Sequence, residues 1–133
     1  ARRIIADAPD DAWIRALVND LDRQVRAGPL DRLLVLWGLS ASAAARVFGI
    51  SRQAVSKWRR SGPPAGRAPA LAALAAATDL LDRHVKRENI PAVVRRPAAS
   101  LGGKSLYELA CAGRHVEVRD AIETMFDLRR IQP

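Results

Sequence analysis

The sequence predicts an all-α protein, a helical bundle built on a helix-turn-helix and followed by a small C-terminal helical module. Three observations lead there. Alanine and leucine dominate an apolar fraction of 49%, while aromatics make up only 5% and β-branched residues are sparse, a composition that favours helices over strands. Apolar residues recur at helical spacing through most of the chain. The stretch from Ser40 to Arg60 reads as two short helices joined by a tight turn.

Residues 1–9 form a lead-in that closes at Ala8-Pro9. Asp10 or Asp11 can cap a helix through about Ala27, whose apolar face is Trp13, Ile14, Leu17, Val18, Leu21 and Val25, and Gly28-Pro29 are expected to stop it. A second helix is expected from about Leu30 to Gly38, with Leu30, Leu33, Leu34 and Trp37 apolar. It leads directly into the two short helices, which cannot bury enough surface alone and need flanking helices to complete a core.

Within the motif, Ala44, Ala45 and Phe48 share one face of the first helix, and Ala45 is small enough for a second helix to cross closely. Gly49 supplies the left-handed residue that ends this helix, and Ile50 folds back onto it. Ser51 caps the next helix, whose buried positions are Ala54, Val55 and Trp58. The residues left over on that helix are donors suited to base edges and phosphates, as a recognition helix in the DNA major groove requires. Arg52, Gln53, Ser56 and Lys57 occupy its first turns and are expected to face bases. Arg46, Ser51, Arg59 and Arg60 are expected at phosphates.

The charge map supports this. Of a net charge of +8, six units fall within residues 39–70, which carry Arg46, Arg52, Lys57, Arg59, Arg60 and Arg67 and no acid. Residues 1–38 and 71–90 are each balanced. A basic stripe confined to one motif is the footprint of a phosphate-binding surface.

Ser61-Gly62-Pro63-Pro64-Ala65-Gly66 breaks the chain, and a long helix is expected from Ala68 to about Glu88, with Leu71, Leu74, Leu81 and Val85 on or near one stripe and Asp79, Asp82, Arg83 and Lys86 facing away. The organisation is therefore residues 1–66 for the N-terminal helices and the DNA-binding motif at 40–60, residues 67–89 for a connecting helix offering a dimer contact, and residues 90–133 for a C-terminal domain. In this last part Ile90–Pro97 is a short helical turn boxed between prolines, Gly102-Gly103 a corner, and Ser105 a cap for Leu106–Ala110. Gly113 ends that helix, and Val116, Val118, Ala121, Ile122, Met125 and Phe126 mark a terminal amphipathic helix.

On Ile90, Pro91, Leu101, Gly102, Gly103, Lys104, Ser105, Glu108, Leu109, Gly113, Val118 and Ile122, the last third of the chain resembles the toxin-binding domain of the Xre/MbcA/ParS-type antitoxins. An Xre-like helix-turn-helix ahead of that domain is the family's order. Val93-Val94 stand where the family tends to have Trp-Leu, and Leu106 where it has proline. The resemblance implies the antitoxin of a type II toxin–antitoxin pair, whose C-terminal region blocks a RES-domain toxin that degrades NAD⁺ and whose complex represses its own operon.

Catalysis finds little support. His84 and His115 lie far apart and outside any metal-ligand pattern, and are expected to be solvated or helix-terminal. Cys111, the only cysteine, reads as a small core residue and leaves no disulfide or cysteine-based zinc site. The Leu101–Ser105 turn lacks the spacing of a phosphate loop. Trp13, Trp37 and Trp58 each fall on an apolar helix face, as core residues rather than stacking platforms. Neither a signal peptide nor a membrane span is evident. The expectation is a cytoplasmic, nucleoid-associated repressor that binds double-stranded DNA, with no cofactor, no metal and no enzymatic activity, and with a RES-type toxin or a second copy of itself as partner. A second reading is a stand-alone repressor, for example of the phage immunity type, in which the C-terminal domain serves dimerisation or a second DNA contact. Arg95, Arg96, Lys104, Arg129 and Arg130 are the candidates for that contact or for toxin binding.

Overall fold

Gly28 and Pro29 are both helical. The computed structural model describes residues 14–15 and 28–131, with side chains as far as Asp127, and its first continuous helix, α1, spans residues 28–37. The helix expected from Asp10 to Ala27 lies outside the described residues except for Ile14 and Arg15, which are helical and exposed. Leu30, Leu33 and Trp37 are fully buried at i, i+3 and i+7, the inward stripe of a helix.

Three further helices follow in quick succession. α2 (Ala41–Phe48) is capped by Ser40, whose hydroxyl oxygen accepts from Ala43 N at 3.1 Å. α3 (Arg52–Ser61) is capped the same way by Ser51, from Ala54 N. Beyond Pro63-Pro64 and a 3₁₀ turn at Ala65–Arg67, α4 runs from Ala68 to His84 with Pro69 in its first turn. It stops four residues short of the expected Glu88. Val85 adopts an extended conformation (φ −128°), and the chain turns back through a 3₁₀ segment at Arg87–Asn89. Arg87 thereby reaches Asp82, donating from Nε at 2.8 Å.

α5 (Ile90–Arg95) buries Ile90 and Val94. A reverse turn at Gly102-Gly103, closed by an isolated bridge between Ala98 and Lys104, delivers the chain to α6 (Leu106–Cys111). Ser105 and Glu108 form a reciprocal capping box there, each hydrogen bond 3.1 Å long. α7 (His115–Ile131) ends the described chain. The protein is all-α across the described residues, the bridge apart.

One hydrophobic core runs from Leu30 in α1 to Phe126 in α7. α4 packs along α7, and α6 packs on α2 and α7. Thr78 is the polar centre of the core. Its hydroxyl accepts from Trp37 Nε1 at 3.0 Å and donates to Leu74 O at 2.7 Å, so no lone polar atom offsets the burial. Outside the core, Arg32 of α1 bridges Asp79 and Asp82 of α4. The Arg87 hydrogen bond holds the Asp82 carboxyl below its usual range; burial opposes this, and Arg32 adds to it. Its contribution is present above the ordinary carboxylate pKa and is lost as pH falls through the lowered value.

Candidate nucleic-acid interface

Gly49 makes the turn of the motif. At φ +64° it lies in the left-handed region, where the amides of Gly49 and Ile50 return to Arg46 O (3.4 Å) and Ala45 O (2.9 Å), the double closure of a Schellman motif. α3 then leaves along a new direction. Trp58 sits edge-on to Phe48, with ring centroids 5.4 Å apart and planes at 61°. Ala45 is buried at 8% exposure. Val55 and Trp58 are the buried residues of α3, with Ala54 half-buried, and every other side chain from Arg52 to Arg60 is exposed.

At roughly 100° of rotation per residue, those exposed side chains fall into an ordered arc. Gln53, Ser56 and Arg60, at i, i+3 and i+7, form its central stripe. Arg52 and Lys57 flank the stripe, and Arg59 lies at the border nearest α1. There it donates from Nε to Asp31 Oδ1 at 2.7 Å. Arg52, Lys57 and Arg60 have no acid partner among the described residues. Ser51 Oγ already accepts from Ala54 N, which leaves its hydroxyl proton free to donate outward. Sequence reasoning missed Asp31, because no local pattern links it to a residue 28 positions later.

Three other cations and rings serve the back of the motif. Arg67, counted within the basic stripe, donates to Phe48 O at 2.7 Å, and His115 Nε2 donates to Val47 O at 2.9 Å. Both fill carbonyls at the end of α2, which an α-helix leaves without partners. Arg95 reaches Trp37 O (3.3 Å) and Gly38 O (3.5 Å) at the end of α1 and lies 5.3 Å over the Tyr107 ring. Gly38 is required at that join: its φ is +67°, and a Cβ would meet Pro91 at 3.3 Å.

Of the C-terminal candidates, Arg95, Arg96 and Lys104 are described with their side chains. The Arg95 guanidinium is engaged with the α1 carbonyls, Arg96 is exposed beyond α5, and Lys104 is exposed on the glycine corner. The side chains of Arg129 and Arg130 lie outside the described residues. Arg46 is exposed, near enough to Tyr107 of α6 for its charge to act on the phenol. Burial pushes the Tyr107 hydroxyl up, the Cys111 thiol beside it adds to this, and Arg46 and Arg95 oppose it. Cys111 is half-buried at the end of α6. His84 and His115 are both helix-terminal, and His84 stacks on Phe126 at 4.2 Å.

Among the described residues no three His, Cys, Asp or Glu side chains converge as a metal site. None of the described helices is long and apolar enough to cross a membrane. Compared with known proteins, the chain matches no family model and no curated protein.

Proposed function

We propose that the chain is a sequence-specific repressor that binds double-stranded DNA, with α3 as its recognition helix in the major groove. The observation that carries this is the acid-free arc of α3, which presents Arg52, Gln53, Ser56, Lys57 and Arg60 outward while Val55 and Trp58 hold the helix from behind. Gln53 is suited to an adenine edge and arginine to a guanine edge. Arg60 shares the stripe of Gln53 and Ser56, so it joins them in facing bases. Arg52 and Lys57 flank them, while Ser51, Arg46 and Arg59 are left for phosphates.

Duplexes selected from a randomised pool, each titrated beside a scrambled sequence, test this assignment. Gln53→Ala is expected to lose about 1–3 kcal/mol at one base pair and to relax preference there. Arg59→Ala is expected to weaken all duplexes alike and to flatten the salt dependence by about one phosphate. Identical behaviour of the two variants would contradict the division of roles.

The proposal extends to the C-terminal part. Its resemblance to the Xre/MbcA/ParS-type toxin-binding domain supports an antitoxin that neutralises a RES-type toxin through residues 90–133, in a cytoplasmic, nucleoid-bound repressor complex. Co-expression with a RES-type protein encoded beside it should restore growth and co-purify the pair. Failure on both counts, with DNA binding intact, leaves the stand-alone repressor. Size-exclusion with light scattering, with and without DNA, tests for a homodimer spanning two half-sites.

A further inference from the structure

We propose that Asp31 is a positioning residue for DNA binding, holding Arg59 so that its two terminal amino groups meet a phosphate. This rests on α3 being the recognition helix.

Asp31 is the only acid that pairs with α3 among the described residues. Both partners are anchored from behind. Asp31 follows fully buried Leu30, and Arg59 follows buried Trp58. Both side chains stay about half exposed, at 49% and 53%, so a duplex can reach them. The form of the contact matters most. Arg59 donates through Nε alone, 2.7 Å from Asp31 Oδ1, and the two terminal amino groups have no partner among the described residues. That outer edge presents two parallel N–H donors, the geometry a phosphate accepts.

A carboxylate placed only to repel DNA would act by charge, and its removal would strengthen binding. A carboxylate that holds Nε removes the rotamers of a long side chain in advance, so that the duplex need not order them on binding. The two effects have opposite signs, and the single-point contact favours the second.

The experiment compares wild type, Asp31→Ala, Asp31→Asn, Arg59→Ala and the Asp31→Ala/Arg59→Ala double variant. Each is titrated on a duplex selected from a randomised pool and on its scrambled counterpart, at several salt concentrations. Asp31→Ala is expected to weaken both duplexes by about two- to tenfold, the range that ordering one long side chain implies. Asp31→Asn, which keeps an acceptor for Nε without the charge, should lose less. In the Arg59→Ala background, removing Asp31 should change affinity by no more than about twofold, as for residues acting through one contact. Thermal melting of each variant separates these effects from unfolding.

Affinity equal to or above wild type in both Asp31 variants overturns the proposal, as does an undiminished loss when Arg59 is absent. A wild-type protein that binds no duplex at all instead refutes the recognition-helix reading, and Asp31's role with it.

Discussion

Trp58→Ala is expected to lower the free energy of unfolding by about 3–5 kcal/mol, the range for removing a large buried aromatic. Trp58 is 5% exposed and meets Phe48 edge-on, a geometry worth about 0.5–1.5 kcal/mol beyond area alone. Val55 is the other buried side chain of α3, so nothing else on that helix can close the void. With total stabilities of roughly 5–15 kcal/mol typical of domains, the loss is a large fraction of the whole. Urea denaturation followed by circular dichroism measures it, and a curve overlying wild type would contradict the anchoring role. Below the midpoint the variant should also bind duplex more weakly, because the arc of α3 is only as well placed as its anchor.

Trp37→Ala is the second large effect, again about 3–5 kcal/mol. Trp37 is fully buried, and its indole N–H is tied to Thr78 at the centre of α4. The substitution removes a ring from the middle of the core and a hydrogen bond worth roughly 0.5–1.5 kcal/mol net. Trp37→Phe, which keeps most of the ring, should cost well under half as much. Because the core is continuous from Leu30 to Phe126, both variants should unfold in a single transition. Separate transitions for tryptophan fluorescence and for helical signal would show that the two halves come apart independently.

What was legible in the sequence was local. Ser51 and Ser105 cap helices, Gly49 and Gly113 end them, and Trp37 and Trp58 face inward. Each of these follows from a residue type and its neighbours within one turn. A local reading also erred. The end of α4 came early because Val85 extends so that Ile90 can return to the core.

The long-range chemistry was not legible at all. Arg67 on Phe48, Arg95 on Trp37, His115 on Val47 and Arg59 on Asp31 span 19 to 68 positions. No periodicity encodes such pairs. In the sequence Arg67 belonged to the basic stripe and Arg95 to the candidates for a second contact, and only the folded chain assigns them to helix ends. The basic arc itself was visible, because it needs only helical spacing and an absence of acids.

Those helix ends bear on how such a protein can be divided. The carbonyls that close α1 and α2 receive their donors from Arg67, Arg95 and His115, all later in the chain. A fragment stopping at Gly66 would keep every exposed side chain of α3 and lose all three. Recombination that joined residues 1–66 to a foreign C-terminal half would leave those carbonyls waiting for donors that the newcomer was never shaped to supply. The first half therefore ends its helices on groups that the second half supplies.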